Sequence, residues 1–495
     1  MDDVATEKKL AKQLSALGLF AVALSFGCSN QAISTGAQPQ FSAQRVLPAV
    51  RRNSGLSKYL SHVIVIIQEN RSFENFFAGY PGANAPMTGC ASPVPSGDPN
   101  PAALLAAAHP MASASPTPAP CPSGDTLVTL HQVTYQNNPD LRHDWLSSMV
   151  DWNNGQMDGF SYWGTGQGQD QAYAYMERSQ IQPYWDMAQQ YVLADAMFPT
   201  EFGGSFTAHL TLVAGTDDIS LPTTAEVDFP NAVPDDCDSP PHTKSSLLTE
   251  QPYRKLYIFK GPFPCFDQFN TIAEVLDSAG ISWKYYATQL LYAGLWEPFE
   301  AIRYTRYGPD WRTNIIAPQT KILTDPQNGK LASVSWVTPT HEDSDHPGEG
   351  DGGPSWVASV VNAIGESSYW PTSAIVILWD DWGGFYDNAP PPQLDYRGLG
   401  IRVPCLIISP YAKQNYVDGT QYEFGSILRF IEEVYGIPAG SIGPTSLGYT
   451  DGRAASLDDA FDFTQSPRKF SPIPSKYPLS HFLHEPPSNV PIDTQ

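Results

Sequence analysis

Short runs of apolar residues, each followed by polar or turn residues, recur along the chain. The first is SHVIVIIQEN at 61–70, which is apolar at consecutive positions rather than at alternate ones. Such runs are typical of strands buried on both faces of a parallel sheet. The pattern returns in four later segments: ISWKYYA (281–287), SVSWVTP (333–339), SAIVILWDD (373–381) and VPCLIISP (403–410).

Segments with helical spacing lie between these predicted strands and after the last of them. They include PSWVASVVNAIGES (354–367) and SILRFIEEVYG (426–436), and 182–198 predicts a helix followed by a short strand. Alternating strands and helices predict an α/β sandwich with a mainly parallel central sheet and long loop insertions. In such sheets functional groups gather at the carboxyl ends of the strands.

The N-terminal 28 residues predict an export segment. Three lysines precede an apolar run from Leu14 to Phe26, which is too short to span a membrane comfortably. The sequence LSFGC resembles a bacterial lipoprotein cleavage box with Cys28 as the lipid-bearing residue. We therefore expect an exported protein that is periplasmic, secreted or an outer-membrane lipoprotein, with membrane anchoring through Cys28 in the last case.

The rest of the chain predicts one domain. Residues 29–57 are polar and predict a flexible tether, and 58–495 predicts a single domain that ends in a proline-rich tail. An insert at 83–125 is rich in alanine, proline, serine and glycine, and 217–265 also predicts mainly loops.

Five cysteines remain beyond Cys28. Cys90 and Cys121 flank the first insert, and Cys237 and Cys265 flank a second proline-rich loop. Local pairing would close each loop and suits an exported protein. Cys405, inside an apolar run, predicts a buried free thiol. Five unpaired thiols are the alternative.

The overall charge narrows the classes of partner. The 495 residues carry a formal net charge of -23. An acidic surface disfavours nucleic acid, because phosphate binding needs lysine and arginine to displace counterions. A bound cation would offset part of the negative charge locally.

Carboxylates follow two of the predicted strands. Glu69 and Asn70 end the first run, and Asp380 and Asp381 end the fourth. If parallel strands bring these ends together, the like charges raise one another's pKa unless a cation neutralises them. Oxygen ligands of this kind suit a hard or borderline divalent ion. The structural alternatives are a helix cap at Asn70 and a simple turn at the two aspartates.

Three of the ten histidines lie in polar segments that could carry chemistry. His143 lies in DLRHDW, and His341 and His346 lie in THEDSDHPGEGDGG. An imidazole can bind a metal, hold a phosphate oxygen or protonate a leaving group. A solvated acidic loop is the alternative for the second segment.

Ser205 is the candidate nucleophile. It follows two glycines in EFGGSFTAHL and precedes a helical run. Glycines allow the backbone to approach a ligand, and a helix N-terminus favours phosphate oxygens. A structural Gly-Gly-Ser turn is the alternative, and the pattern is not the G-x-S-x-G elbow.

Together these segments resemble a known family, the bacterial and plant phosphoesterases that include non-specific phospholipases C and a group of acid phosphatases. The resemblance runs from about 60 to about 465 and is carried by blocks in a common order: HVIVIIQENRSFENFFAGYPGA, LADAMFPTEFGGSFTAHLTLVAGT, HPGEGDGGPSWVASVVNAI, SAIVILWDDWGGFYDNAPPP, RVPCLIISPYAK, SILRFIEEVYG and AASLDDAFDF.

The resemblance implies an alkaline-phosphatase-like α/β/α sandwich and a metal-dependent reaction. One divalent ion (Ca, Mg, Zn or Mn) would be bound by five residues: Glu69, Asn70, Ser205, Asp380 and Asp381. Ser205 would attack phosphorus and form a phosphoserine that water then hydrolyses. His143, His341 and His346 would hold phosphate or protonate the leaving group.

The chain departs from the family pattern at three places. Asn388 follows Asp387 where many members have histidine, Glu423-Phe424 replace Asp-His, and 206–208 replace His-Pro-Asn. These changes leave the substrate open, whereas the implied metal-binding residues are all present.

Three functions follow from the resemblance. A short C-terminal region favours an acid-phosphatase-type phosphomonoesterase acting on a small phosphate ester. The first alternative is a phospholipase C-type phosphodiesterase acting on phospholipids. An aromatic mouth would favour this alternative, and it would be formed by Trp163, Tyr173, Tyr175 and Trp185. The second alternative is a non-catalytic, surface-anchored binding protein.

Overall fold

The computed structural model describes residues 55–93, 121–162, 171–219, 225–249, 255–291, 294–486 and 488. The predicted export segment lies outside these residues, as do nearly all of the predicted tether and the middle of the insert at 83–125. Among the residues described, no helix combines the length and apolar character needed to cross a membrane.

The strands in chain order are β1 (His62–Gln68), β2 (Thr88–Ala91), β3 (Thr126–Thr129), β4 (His131–Val133), β5 (Ala174–Met176), β6 (Val192–Phe198), β7 (Ala225–Pro230), β8 (Ser245–Thr249), β9 (Lys255–Tyr257), β10 (Trp283–Tyr286), β11 (Ile315–Ile316), β12 (Val334–Val337), β13 (Ser373–Trp379), β14 (Val403–Ile408), β15 (Tyr416–Asp418) and β16 (Tyr422–Glu423). Every strand expected from an apolar run is therefore present.

The α-helices in chain order are α1 (Phe73–Phe77), α2 (Trp145–Trp152), α3 (Gln182–Gln190), α4 (Ser205–Ala214), α5 (Ile272–Ala279), α6 (Arg303–Tyr307), α7 (Asp310–Thr313), α8 (Gly353–Gly365), α9 (Phe424–Val434) and α10 (Leu479–His484). Three of them, α3, α8 and α9, match the predicted helical segments.

The central sheet has the order β11-β10-β12-β1-β13-β14-β6-β15, with β16 also paired to β6. All pairs are parallel except those of β14, which runs antiparallel to both β13 and β6. The predicted fold class, an α/β fold with a mainly parallel sheet, is confirmed.

Both faces of this sheet are covered. Side chains alternate between faces along a strand, yet every residue of β12, β13 and β14 is buried. A sheet with one wet face would show alternating exposure instead. The uninterrupted apolar runs in the sequence reflect this double burial.

The segment 217–265, predicted as mainly loops, contains a small antiparallel sheet. Strand β8 pairs with β7 on one side and β9 on the other. These strands are short and interrupted by polar residues, so no long apolar run marked them in the sequence. A second short strand, β2, lies within the predicted insert and pairs with β3.

Both predicted disulfides are present. Cys90 is bonded to Cys121, and Cys237 is bonded to Cys265. Cys405 is a buried free thiol in β14. The alternative of five unpaired thiols is wrong.

The proline-rich C-terminal segment packs on the domain as far as it is described. Phe482 of α10 is 1% exposed and its ring lies 5.5 Å from that of Trp356 in α8. Asn362 exchanges two hydrogen bonds with the backbone of Ile473, at 2.8 and 3.0 Å. This segment therefore covers one side of α8.

Candidate active site

Two neighbouring parallel strands end side by side at the site. Gln68, the last residue of β1, lies opposite Trp379, the last residue of β13. Glu69-Asn70 and Asp380-Asp381 therefore leave the same edge of the sheet. All four are at most 1% exposed. The register of one strand pair brings together the acidic groups that are far apart in the sequence.

Asn70 makes a tight turn at this edge. Its φ of 58° lies in the left-handed region, which asparagine tolerates better than most residues. Its backbone N–H donates to Asp380 Oδ1 at 3.0 Å. Gly383 packs on the other side of the turn, where an added Cβ would lie 2.2 Å from the Asn70 carbonyl oxygen. Close backbone packing thus sets the position of the Asn70 side chain.

Ser205 is the first residue of α4 and is fully buried. Its hydroxyl donates to Asp381 Oδ2 at 3.2 Å, and Asn70 Nδ2 lies 3.5 Å from its Oγ. Glycine at 203 lets the chain pass close to the first turn of α4, because an added Cβ there would lie 2.3 Å from Thr207 Oγ1. A helix N-terminus offers unpaired backbone N–H groups, which favour an anion beside Ser205.

The three predicted histidines form a row that starts at Asn70. His143 Nε2 lies 2.7 Å from Asn70 Nδ2, and its Nδ1 lies 2.6 Å from the Leu141 carbonyl oxygen. The His346 ring is centred 6.1 Å from that of His143 and 5.0 Å from that of His341. Trp296 stacks on His341 at 5.7 Å. The row therefore extends from Asn70 at the strand end to Trp296.

The acidic loop that carries His341 and His346 is not solvated. Asp343 is 3% exposed and Asp345 is 1% exposed. Asp345 accepts hydrogen bonds from the hydroxyls of Tyr135 and Tyr184, at 2.6 and 2.5 Å, and burial raises its pKa to about 6. Arg71 donates to the Asp345 carbonyl oxygen. These contacts fix the loop, so the solvated alternative is wrong for these two residues.

His209 is a site residue that the sequence reasoning missed. It lies four residues after Ser205, one turn along α4, and is fully buried. Its Nε2 lies 2.8 Å from Glu69 Oε1 and 3.8 Å from Asp380 Oδ2. The spacing of four in EFGGSFTAHL places both side chains on one helix face, which was the available signal.

The donors at this edge fit a divalent cation. Ligand atoms of Glu69, His209 and Asp380 lie within 4.8 Å of one another. Within the described residues, Asn70 Oδ1 and Asp380 Oδ2 are buried and accept no hydrogen bond. Buried polar atoms normally have partners, and buried carboxylates need a neutralising charge. Carboxylate and amide oxygens suit a hard or borderline divalent ion.

The structure brings all the predicted site residues together. Contacts link the carboxylates and amide to Ser205, and link the amide to the histidine row. The set comprises Glu69, Asn70, His143, Ser205, His341, His346, Asp380 and Asp381. Their individual roles stay predictions.

A cleft of about 470 Å³ opens beside Gly204, the residue before Ser205. One wall is formed by 140–146, which also carries His143, and by Phe206. The small sheet β7-β8-β9 and the turn after it form the other wall, through Asp228, Phe229, Ser246, Leu256, Ile258 and Phe259. Ile258 is 60% exposed and Phe259 is 42% exposed. The cleft is therefore largely apolar and open to solvent.

The aromatic residues that would have formed a mouth, as far as they are described, do not line this cleft. Tyr173 and Trp185 are buried core residues, with Tyr173 ring stacked on Tyr386. Trp163 lies outside the described residues. The apolar lining near Ser205 comes instead from the small sheet, whose position depends on tertiary packing.

Comparisons with known proteins identify a family and several relatives of this chain. A family model described as "Phosphoesterase family" matches residues 60–438. The chain is 26% identical over 476 residues to "Phospholipase C A" of Mycobacterium tuberculosis, covering 87% of this chain and 82% of that protein. It is 24% identical over 489 residues to "Non-hemolytic phospholipase C" of Pseudomonas aeruginosa, covering 89% of this chain and 63% of that protein.

Among solved structures, one match is a protein in the alkaline phosphatase superfamily from Vibrio parahaemolyticus. It is 12% identical, with a TM-score of 0.33, and the match covers 67% of this chain and 71% of that one.

Proposed function

The chain belongs to the Phosphoesterase family and is a phosphoric ester hydrolase, and we propose that it cleaves phosphodiesters with an apolar alcohol, in the manner of a phospholipase C. The observation that carries the choice of substrate is the apolar cleft beside Gly204, since a leaving group next to Ser205 would extend into it. The relative "Phospholipase C A", of which the match covers 82%, carries the name of such an enzyme and supports this choice.

Ser205 is the proposed nucleophile. Its hydrogen bond to Asp381 Oδ2 at 3.2 Å orients the hydroxyl and provides an acceptor for its proton. Oγ attacks phosphorus in line, a Ser205–phosphorus bond forms, and the bond from phosphorus to the alcohol oxygen breaks. Water then hydrolyses the phosphoserine ester and restores the hydroxyl.

A divalent ion held by Glu69, Asn70, Asp380 and Asp381 would supply Lewis-acid polarisation and favour the Ser205 alkoxide. The N-terminal N–H groups of α4 bind a phosphoryl oxygen at the same place. His209 hydrogen bonds to Glu69 and orients that carboxylate, which makes it a positioning residue.

The histidine row is proposed to bind the phosphoryl group and to protonate the leaving alcohol. The Nδ1–H of His143 donates to the Leu141 carbonyl oxygen, so Nε2 is the basic nitrogen of that ring. His346 has the same arrangement with the Pro347 carbonyl oxygen at 2.9 Å. A basic nitrogen near the leaving oxygen can carry the proton that the departing alkoxide needs.

A phosphomonoesterase is the second candidate. The rings of His143, His346 and His341 follow one another with centroid separations of 6.1 and 5.0 Å. When protonated, these imidazoles would balance the additional negative charge of a terminal phosphate. The non-catalytic alternative receives no support from the site, because Ser205, the acidic residues and the histidines all converge.

The test compares three substrates: p-nitrophenyl phosphate, p-nitrophenyl phosphorylcholine and phosphatidylcholine vesicles. Diester and lipid turnover, lost in Ser205→Ala and after EDTA treatment, is the expected result. Turnover of the monoester alone would establish the phosphatase instead. No turnover of any substrate with several divalent ions added back would favour the binding protein.

A variant of the cleft sharpens this test. Ile258→Asp places a charge in the cleft at a solvent-exposed position, so we expect the protein to fold. Lipid turnover should fall by about 10-fold or more, while turnover of the small diester stays unchanged. Leu290→Asp is the matched control, because Leu290 is 43% exposed and does not line the cleft. Equal effects of the two variants would reject the cleft as the lipid-binding surface.

A further inference from the structure

A second acidic group shares no residue with the Ser205 site. Asp236, Asp238 and Glu300 present ligand atoms that lie within 4.8 Å of one another. Asp236 and Glu300 are at most 1% exposed, whereas Asp238 is partly exposed. The group lies next to the Cys237–Cys265 disulfide.

The backbone holds these side chains in place. The Cys237 N–H donates to the Glu300 carbonyl oxygen at 3.2 Å, which ties the two segments together. The Asp238 N–H donates to Asp236 Oδ1 at 2.6 Å, and the Asp236 N–H donates to Ser239 Oγ at 3.0 Å. The carboxylates therefore converge in a frame that the chain itself builds.

Positive charge at this group is small compared with its acidity. Arg306 donates to Asp238 Oδ2 at 2.7 Å. Two further carboxyl groups adjoin the cluster, those of Asp235 and Glu297, and both are at most 2% exposed. In the part of the chain that the structure describes, Arg306 thus forms an ion pair with Asp238, against five carboxyl groups in all.

Two observations beyond acidity point to a bound ligand. In the described part of the chain, Asp236 Oδ2 and Glu297 Oε2 are buried and accept no hydrogen bond from an N–H or a hydroxyl. Ligand atoms of Asp236 and Glu300 also lie within 4.8 Å of each other. Two carboxyl groups this close need a proton or a cation between them.

The chemistry of the donor atoms indicates which kind of cation would fit this group. Oxygen donors without histidine or cysteine favour a hard cation over zinc.

We propose that Asp236, Asp238 and Glu300 bind a calcium ion separate from the catalytic metal. Calcium takes six to eight oxygen ligands in flexible geometry, and the three carboxylates supply part of this set. The ion would fasten the disulfide loop to 298–300. The ring of Phe266, next to Cys265, packs near that of Phe206 in α4, with 6.2 Å between the ring centroids. The fastened loop would therefore support the helix that starts with Ser205.

The test counts bound calcium at pH 8 by mass spectrometry and measures Tm with calcium and with EDTA. An Asp380→Asn/Asp381→Asn background removes the catalytic metal, so the result does not depend on the proposed function. This background should retain one calcium ion. Adding Asp236→Asn/Glu300→Gln should remove it, whereas Asp267→Asn, at an exposed acid two residues after Cys265, should leave it bound.

Thermal melting gives the second readout. Calcium should raise the Tm of the background protein and leave that of the Asp236→Asn/Glu300→Gln form unchanged. In EDTA the latter should melt at or above the former, because it no longer buries uncompensated carboxylates. If the Asp236→Asn/Glu300→Gln form does not fold, Asp238→Asn in the same background replaces it. That variant should bind calcium at least about 10-fold more weakly than the background protein. No calcium bound to the background at millimolar concentration, or equal binding by both proteins, overturns the proposal.

Discussion

Buried carboxylates occur in two arrangements that differ in what neutralises them. Asp387 accepts hydrogen bonds at both oxygens, from Arg402 Nε at 3.0 Å and from backbone N–H groups of Glu74 and Ala389. Asp380 has one oxygen bonded to the Asn70 N–H, and its Oδ2 accepts no hydrogen bond within the described residues. Arg402 thus neutralises Asp387 from within the chain, whereas Asp380 at the site keeps a buried acceptor that fits an external cation.

The largest effect on turnover should appear when the acid at the site, Asp380, is replaced. Asp380→Asn should lower turnover by about 10³-fold or more, because the preorganised charge at the site is lost. Its metal-free form should be as stable as the metal-free wild type, since no internal partner is left unpaired. Metal content and urea unfolding measure both effects. Full turnover in Asp380→Asn would show that Asp380 has no role in catalysis.

Breaking the framework pair should have the opposite signature. Arg402→Met should lower the free energy of unfolding by about 3–5 kcal/mol, because Asp387 stays buried without its partner. Turnover per folded molecule should change much less than in Asp380→Asn. The double variant Arg402→Met/Asp387→Leu should recover part of the stability. A loss as large in the double variant as in the single one would contradict this account.

His209 should contribute to the cation site without being required for the fold. His209→Gln removes the imidazole that hydrogen bonds to Glu69. We expect metal affinity to fall by about 10- to 100-fold, as for other residues that orient a ligand. Titration of the metal-free protein measures this directly. Unchanged affinity with lowered stability would make His209 a packing residue only.

Two glycines with left-handed φ distinguish the energetic cost of a steric clash from that of backbone strain. Gly383→Ala should destabilise by about 1–3 kcal/mol, because its Cβ meets the Asn70 carbonyl oxygen. Gly329→Ala should cost only about 1 kcal/mol, since its φ is 68° but no atom lies within 4 Å of the added Cβ. Urea unfolding of the two variants tests this difference. Gly383→Ala should in addition weaken metal binding through Asn70.

The smallest effect concerns a histidine outside the site. Burial lowers the pKa of His62 at the start of β1 to about 4. The unfolded chain takes up this proton near pH 6.5, so stability is fully present above that pH and is lost as the pH falls towards 4. His62→Gln should flatten this part of the Tm–pH curve. An unchanged slope would assign it to other groups.

Much of the site followed from local sequence because strand ends are marked by a change from apolar to polar residues. Glu69-Asn70 and Asp380-Asp381 stand directly after such runs, and Ser205 follows a glycine pair. His209 was missed because a histidine within an apolar helical run also suits a buried core position. The sheet β7-β8-β9 was missed because its strands are short and half-polar, so neighbouring segments determine their pairing.

The sequence by itself determined the buried strands, the main helices, the two local disulfides and the residues able to carry the chemistry. These depend on hydrophobic runs and short separations, which act along the chain. Tertiary structure alone decided the antiparallel direction of β14, the contact of His209 with Glu69, the apolar cleft beside Gly204 and the convergence of Asp236 with Glu300. Each of these joins segments far apart in the chain, and only close packing of the whole domain sets such distances.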